Sequence, residues 1–498
     1  MFHTISSALL ESLCSIGYSL ETALADIIDN SIAAKSTHIS VRFLWNKGSP
    51  WVAVVDNGGG MSPPELKAAM RFGSKNPREA RGSTDLGRFG LGMKTASISQ
   101  CRHLTVVSKK EKGMSACEWN LVKMRKKGVS EWGAEAVAHK SLQTQNDLSA
   151  LIAARLEKED SGTIVFWEHL DASLADPTEK TGEARFSDQM DSARKHLELV
   201  FHRFLAPDPG KKKVVIDFNA TSLVPFDPFG SSNPARQELP SEKIPHRNQV
   251  VLVQPYVLPH PSKAESVPAY KDLAGEDGYL HNQGFYIYRN KRLIIKATWF
   301  RLIPKDELNK LIRVRVDLTN THDTLWQVDV KKSQANPPEA IRKKLRQIIN
   351  KISGAGRRVF THRAAAVQSR GLNPVWKREI VDGRIHYRVN EEHPLMQSLL
   401  TNLAKPLAER LRACFALVNS SFPYDSYYAD AANDQVEFDT APPSEETIRQ
   451  VGFQLVQALR SCGCEEDGLR ASLETTEFFR CTPDLIEQIL NMKDDLNG

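Results

Sequence analysis

An apolar run, Trp51 to Asp56 (WVAVVD), ends in a carboxylate and is stopped at once by Asn57-Gly58-Gly59-Gly60. So short a run closed by a turn signal is a buried strand, and it delivers Asp56 to the end of a sheet. Before it, His38 to Trp45 alternates through Ile39, Val41, Phe43 and Trp45, a second strand joined to the first as a hairpin around NKGSP. Upstream again, residues 20 to 34 place Leu20, Leu24, Ile27, Ile28 and Ile32 on one helical stripe, with Ser19 as N-cap and Glu21 in the first turn. Downstream, Pro63 to Met70 reads as a short helix, the polar stretch from Gly73 to Arg88 as a lid, and Gly90 to Gln100 as a helix. Alternation at His103–Ser108, Ala116–Val122 and Thr163–Trp167 adds strands, and Phe186 to Phe204 adds a helix. Strands and helices do not interleave regularly, so the pattern is an α+β sandwich and not a doubly wound parallel sheet.

The 498 residues are enough for about three domains. We place the first at 1–210. The second, at 211–362, holds the strand-like VVIDFNA, QVVLVQPYVL and GFYIYRNKRLII, a loop from Asp227 to His246, and an amphipathic basic helix from Pro338 to Ile352. The third, at 363–498, is mostly helical in pattern and acidic from Tyr424 onward. With 41% hydrophobic residues the chain can bury real cores, and no apolar run approaches the ~18 residues of a membrane span. The N-terminus, MFHTISSALLESLC, lacks the basic start and long apolar stretch of a secretory signal, which points to the cytoplasm. Seven scattered cysteines make no disulfide framework and no spaced metal motif. Of the net charge of +6, residues 361–498 contribute −7, leaving +13 on the first 360. Lys and Arg cluster at Lys123 to Lys127, Lys211 to Lys213, Arg342 to Arg346, and Arg357 with Arg358; clusters of this kind form phosphate-binding surfaces or solvated faces.

Three constellations carry chemistry. On the first helix Asp26 and Asn30 lie four apart and share a face beside Asp29, and such oxygens suit Mg²⁺ and a water it holds. Asp56 at a strand end can accept a hydrogen bond from an exocyclic amine, while Gly58, Gly60 and Met61 follow in a turn whose glycines let backbone approach a flat ring. Third, Gly87-Arg88-Phe89-Gly90-Leu91-Gly92-Met93-Lys94-Thr95 leads into a helix N-terminus, where unpaired N–H groups face an anion and Lys94 and Thr95 add a charge and a hydroxyl. The spacing GxxGxG fits neither the dinucleotide-binding fingerprint nor a P-loop.

In this order the three boxes resemble the GHKL ATPase superfamily, which includes gyrase, Hsp90, histidine kinases, MutL and MORC proteins. A fourth box, Ser161-Gly162-Thr163-Ile164, is similar to that superfamily's Gly-Thr strand. The resemblance covers residues 5 to 205. It implies a Bergerat-fold α/β sandwich binding ATP and Mg²⁺, with Asn30 as metal ligand, Asp56 as adenine reader supported by Thr163, and Gly87 to Thr95 as the phosphate-binding end of the lid. MutL-, Hsp90- and MORC-type hydrolases carry Glu at the position of Asp26. The shorter side chain loses about 1.3 Å of reach, and misplacement by ~1 Å costs on the order of 10²-fold, so hydrolysis with Asp26 as base is expected to be slow. Glu21, on another face, is a poor substitute.

Residues 283–294 and 326–338 resemble the ribosomal S5-type transducer domain of the MutL and MORC branch, which implies that Lys331 or Lys332 reaches the γ-phosphate. The likeness over the first 360 residues is to prokaryotic MORC-like ATPases, a group linked to restriction and phage-defence loci. It implies an ATP-gated homodimer that clamps DNA without crossing a membrane, with the acidic C-terminal region offered to a protein partner or to its own basic surface. The alternatives are an Hsp90-like chaperone clamp and an ATP-binding subunit without turnover. A histidine kinase would need a phosphoacceptor helical pair ahead of residue 20.

Overall fold

The computed structural model describes residues 5–6, 18–71, 92–111, 113–127, 131–142, 146–171, 182–246, 249–259, 266–319, 322, 326, 337–368, 374–381, 384–423, 444–461, 464–474 and 483–491. Residues 1–305 with 309–353 pack as one unit, and 354–498 with 306–308 as another.

The first unit is built on an eight-stranded mixed sheet. Its centre is the hairpin of β1 (His38–Leu44) and β2 (Trp51–Asp56), flanked by β3 (Cys101–Lys110), β4 (Gly113–Asn120), β5 (Gly162–Leu170) and β6 (Val215–Phe218) in the order β6-β1-β2-β5-β3-β4, with two-residue strands at both edges. All pairings are antiparallel except β1 with β6. Alternate β2 residues feed opposite cores. Val52 and Val54 pack beneath α1 (Leu20–Ala33), α3 (Gly92–Gln100) and α4 (Gly182–Val200), while Ala53 and Val55 join Leu148, Ile152 and Leu156 on the other face. That double burial is why β2 reads as a continuous apolar run. Trp167 of β5 is fully buried, and its truncation to Ala is expected to cost about 3–5 kcal/mol.

The helix α1 keeps its apolar stripe, with Leu24 and Ile28 at zero exposure and Ser31 buried on the same face, yet Asp26 and Asp29 on its other side are buried too. The short helix α2 (Pro63–Met70) has the expected bounds, because Pro63 opens it and Ser62 and Glu65 close a capping box. The strand-like VVIDFNA, expected in the second domain, supplies β6; its parallel ladder with β1 places it in the first sheet, so the 210/211 boundary falls ahead of a strand of that sheet.

A second, six-stranded sheet in this unit includes β7 (Gln249–Val257), the hairpin β8 (Gly284–Arg289) and β9 (Arg292–Thr298), and β10 (Ile312–Leu318), which pairs parallel with β8. Asn290 and Lys291, both with positive φ, make the two-residue turn. One face is covered by α5 (Glu339–Gln368) through Ile341, Leu345, Ile348, Ile349 and Ile352; the other packs Tyr256, Tyr286 and Tyr288 against Leu199 of α4. The helix runs well past the expected end at Ile352. The second unit holds a hairpin, Trp376–Val381 with Arg384–Val389, and five helices among its described residues, three of which share a core of Ile448, Leu455, Leu469, Leu473 and Ile486. No described helix is long and apolar enough to cross a membrane.

Candidate nucleotide-binding site

Two elements set the centre of the site. The strand β2 carries Asp56 to its C-terminal end in register with Thr163 of β5, and α1 passes over it. The Asp56 carboxylate is buried: Ser31 Oγ donates to Oδ2 at 2.8 Å and the Gly58 amide donates to Oδ1 at 2.8 Å. Burial dominates and leaves its pKa raised, although the hydrogen bonds from Gly58, Ser31 and the Thr163 backbone pull the other way. An ionised carboxylate offers about four lone-pair sites, so Asp56 retains capacity for an exocyclic amine. The Thr163 hydroxyl turns instead to Ser108 Oγ at 2.9 Å, and Ser108 accepts the Met61 amide at 2.8 Å. Thr163 therefore supports Asp56 through its backbone and holds the Gly-rich turn through its side chain.

The glycines of that turn answer first to protein packing. A Cβ on Gly60, whose φ is +62°, would lie 1.9 Å from the Lys109 carbonyl oxygen, and one on Gly58 would lie 2.8 Å from Ala34 Cβ and 2.9 Å from Asp56 Oδ1. Met61 and Met93 are half-buried against the α1 core.

On α1, Asp26 is buried and Asn30 exposed. The Asn30 amide donates to the Asp26 carbonyl at 2.8 Å, which leaves its Oδ1 as an outward acceptor. Tyr18 donates to Asp26 Oδ2 at 3.3 Å, and Arg292 of the second sheet reaches Asp26 Oδ1 (3.6 Å) and Asp29 Oδ2 (3.0 Å). Asp26 also lies near the lid end, since a Cβ on Gly92 would sit 3.8 Å from Asp26 Oδ2. The donor set fits Mg²⁺ held through Asn30 Oδ1, phosphate and water. No cluster of three or more His, Cys, Asp or Glu ligands occurs among the described residues, and such a site needs none.

Lys94, expected to point at phosphate, is buried and donates to the Ala69 carbonyl at 2.8 Å; Thr95 beside it is buried as well. Lys94 thereby ties α3, whose first residue is Gly92, to the end of α2. Gly87, Arg88, Phe89, Gly90 and Leu91 of the lid, and Lys331 and Lys332, lie outside the described residues. Glu21 lines a separate cleft of about 650 Å³ with His196, Phe226 and Arg313, whose lining includes none of Asp26, Asn30 or Asp56. Sequence reasoning missed Ser31, Ser108, Tyr18 and Arg292. Ser31 follows Asn30 directly and was open to notice; the others announce themselves only through tertiary contact.

Residues 18–163 match the model of the histidine kinase-, DNA gyrase B-, and HSP90-like ATPase family. That stretch is therefore similar to a GHKL-type ATPase domain, and the chain also shares similarity with MORC ATPases. The chain is 30% identical over 112 residues to the ATPase MORC2B of Mus musculus, covering 22% of this chain and 11% of that protein. It is 28% identical over 112 residues to the human ATPase MORC2, with the same coverage, and 30% identical over 90 residues to ATPase morc-1 of Caenorhabditis elegans, covering 18% and 10%. The chain thus spans about a tenth of the length of the curated relatives it matches.

Proposed function

We propose that the protein is an ATP-hydrolysing clamp: adenine nucleotide binds against Asp56, the N-terminal domains of two copies associate, and hydrolysis reopens them around DNA. The observation that carries this reading is the buried Asp56 carboxylate, fixed by Ser31 and Gly58 beside the helix that presents Asp26 and Asn30. Asp56 reads the adenine amine, Asn30 Oδ1 would hold Mg²⁺, and amides at the α3 start bind phosphate. Mg²⁺, when bound, neutralises charge on the phosphates. Asp26 orients a water and accepts its proton as the oxygen attacks the γ-phosphorus, the bond to the β-phosphate breaks, and ADP leaves. Lys331 or Lys332 contacts the γ-phosphate.

The DNA reading rests on basic faces. Lys343, Lys344 and Arg346 are exposed on α5, and Lys211 to Lys213 are exposed ahead of β6. Lys123 is already engaged by Glu135 at 3.0 Å and Glu118 at 3.5 Å, which weakens the claim of its cluster. A role in defence against foreign DNA follows from the MORC-like character alone. Sedimentation with and without a non-hydrolysable ATP analogue, repeated with DNA, tests the clamp. Nucleotide-dependent doubling of mass and DNA retention support it, and a mass independent of nucleotide overturns it.

A further inference from the structure

The guanidinium of Arg292 is the feature of the second sheet that reaches the helix carrying the candidate base. Arg292 opens β9 directly after the Asn290-Lys291 turn, and its side chain is 5% exposed. One nitrogen, Nε, lies 3.0 Å from Asp29 Oδ2; another, Nη2, lies 3.6 Å from Asp26 Oδ1; Nη1 donates to its neighbour's carbonyl, Leu293 O, at 3.1 Å. Tyr18 holds the second oxygen of Asp26 from the opposite end of α1. The second sheet is tied to the segment between α4 and β6 as well: Lys291 of the hairpin turn pairs with Asp208 at 2.6 Å, and Arg203 pairs with Asp317 of β10. Buried ions are tolerated only where geometry and hydrogen bonds offset a desolvation penalty of several kcal/mol each. Two carboxylates and one guanidinium buried together therefore constitute a built junction, and a guanidinium spans both acids where a point-charged ammonium cannot.

We propose that Arg292 is a positioning residue for Asp26, through which docking of the second sheet fixes the carboxylate that activates water. The inference rests on the ATPase reading above. A base one methylene short of Glu has little tolerance for a wandering rotamer, and Arg292 with Tyr18 holds each of its oxygens in place. Separation of the hairpin from α1 releases that hold, so turnover depends on the position of a sheet that need not touch the substrate.

The test measures kcat, KM for ATP and the Kd of a non-hydrolysable ATP analogue on the full chain for Arg292→Lys, Arg292→Gln, Asp26→Asn and the Arg292→Lys/Asp26→Asn pair, with thermal melting of each. Arg292→Lys is expected to lower kcat by about 10- to 100-fold while KM and Kd stay within about twofold, as expected for misplacement of a catalytic group near 1 Å. In the Asp26→Asn background the same change is expected to have no further effect, because Arg292 acts through Asp26. Lys291→Ala, which removes only the Asp208 pair at the same turn, keeps the parental kcat. Arg292→Lys retains the buried charge and keeps the test open should Arg292→Gln not fold. Parental kcat in Arg292→Lys, or a full additional loss in the Asp26→Asn background, overturns the proposal while leaving the ATPase reading intact. An Asp26→Asn variant that turns over at the parental rate removes the base assignment and the proposal together.

Discussion

Asp56→Asn is the most informative single change, because the structure fixes what each oxygen of Asp56 does. Oδ1 accepts the Gly58 amide and Oδ2 accepts Ser31 Oγ, both at 2.8 Å. The substitution keeps the shape but turns one acceptor into an NH₂ donor. In one orientation it faces the Gly58 N–H, donor against donor; in the other it faces Ser31, whose hydroxyl can reverse and accept. Asparagine therefore settles with its oxygen toward Gly58 and its NH₂ on the Ser31 side, and it carries no charge. A hydrogen bond to a charged group is worth about 1.5–3 kcal/mol, so losing the one to the adenine amine weakens binding by about 10- to 150-fold. An amide donor turned to the base also discriminates less against a purine bearing a carbonyl, so the preference for ATP over GTP should narrow. Calorimetric titration of Mg-bound analogues of both nucleotides reads these values, and thermal melting separates them from a folding defect. A well-folded Asp56→Asn chain that binds the ATP analogue within twofold of the parent refutes the assignment of Asp56 as the base reader.

Three further outcomes are expected. His103 is buried between Glu118 (2.9 Å) and Glu168 (3.1 Å); burial lowers its pKa, but the two carboxylates outweigh it and hold it at about 9. A folded pKa above the unfolded ~6.5 stabilises the fold fully below pH 6.5, and that contribution, up to about 3 kcal/mol, is lost as pH rises from 6.5 through about 9; denaturant melts across this range should show the loss in the parent and a flatter profile in His103→Gln. Gly60→Ala places a methyl against the Lys109 carbonyl at a positive φ and should destabilise by more than ~2 kcal/mol or prevent folding, read by denaturant melting. Replacing Lys343, Lys344 and Arg346 with Ala should reduce the slope of log affinity for DNA against log salt by about 0.9 for each phosphate no longer neutralised, and an unchanged slope removes α5 from the DNA surface.

What the sequence disclosed about the fold was mostly local. The α1 stripe, the short helix from Pro63 to Met70 and the β1–β2 hairpin depend on residues within one or two turns, and their bounds agree with the structure to within a residue or two. Long-range geometry was not legible. The parallel docking of β6 on β1 joins residues about 175 apart, and Arg292 meets Asp29 across 263 positions, with no periodicity to announce either. The helix α5 outran its expected end because its continuation past Ile352, SGAGRRVF, weakens the apolar period that had marked it. The 376–389 hairpin was missed although Asp382-Gly383 between alternating runs is a hairpin signal. In the candidate site, residue type and spacing singled out Asp26, Asn30 and Asp56, and the roles expected of them came from the resemblance to the GHKL superfamily. The burial of Lys94 was not legible, because a lysine at a helix start reads as a phosphate ligand until Ala69 is seen to accept its ammonium.

The most direct measurement is a crystal structure of the chain with Mg²⁺ and a non-hydrolysable ATP analogue. The expected map has the purine amine within hydrogen-bond distance of the Asp56 carboxylate, Asn30 Oδ1 on the metal, and the triphosphate at the start of α3. An analogue bound elsewhere, or a ring that leaves Asp56 untouched, contradicts the assignment of this pocket and the mechanism built on it.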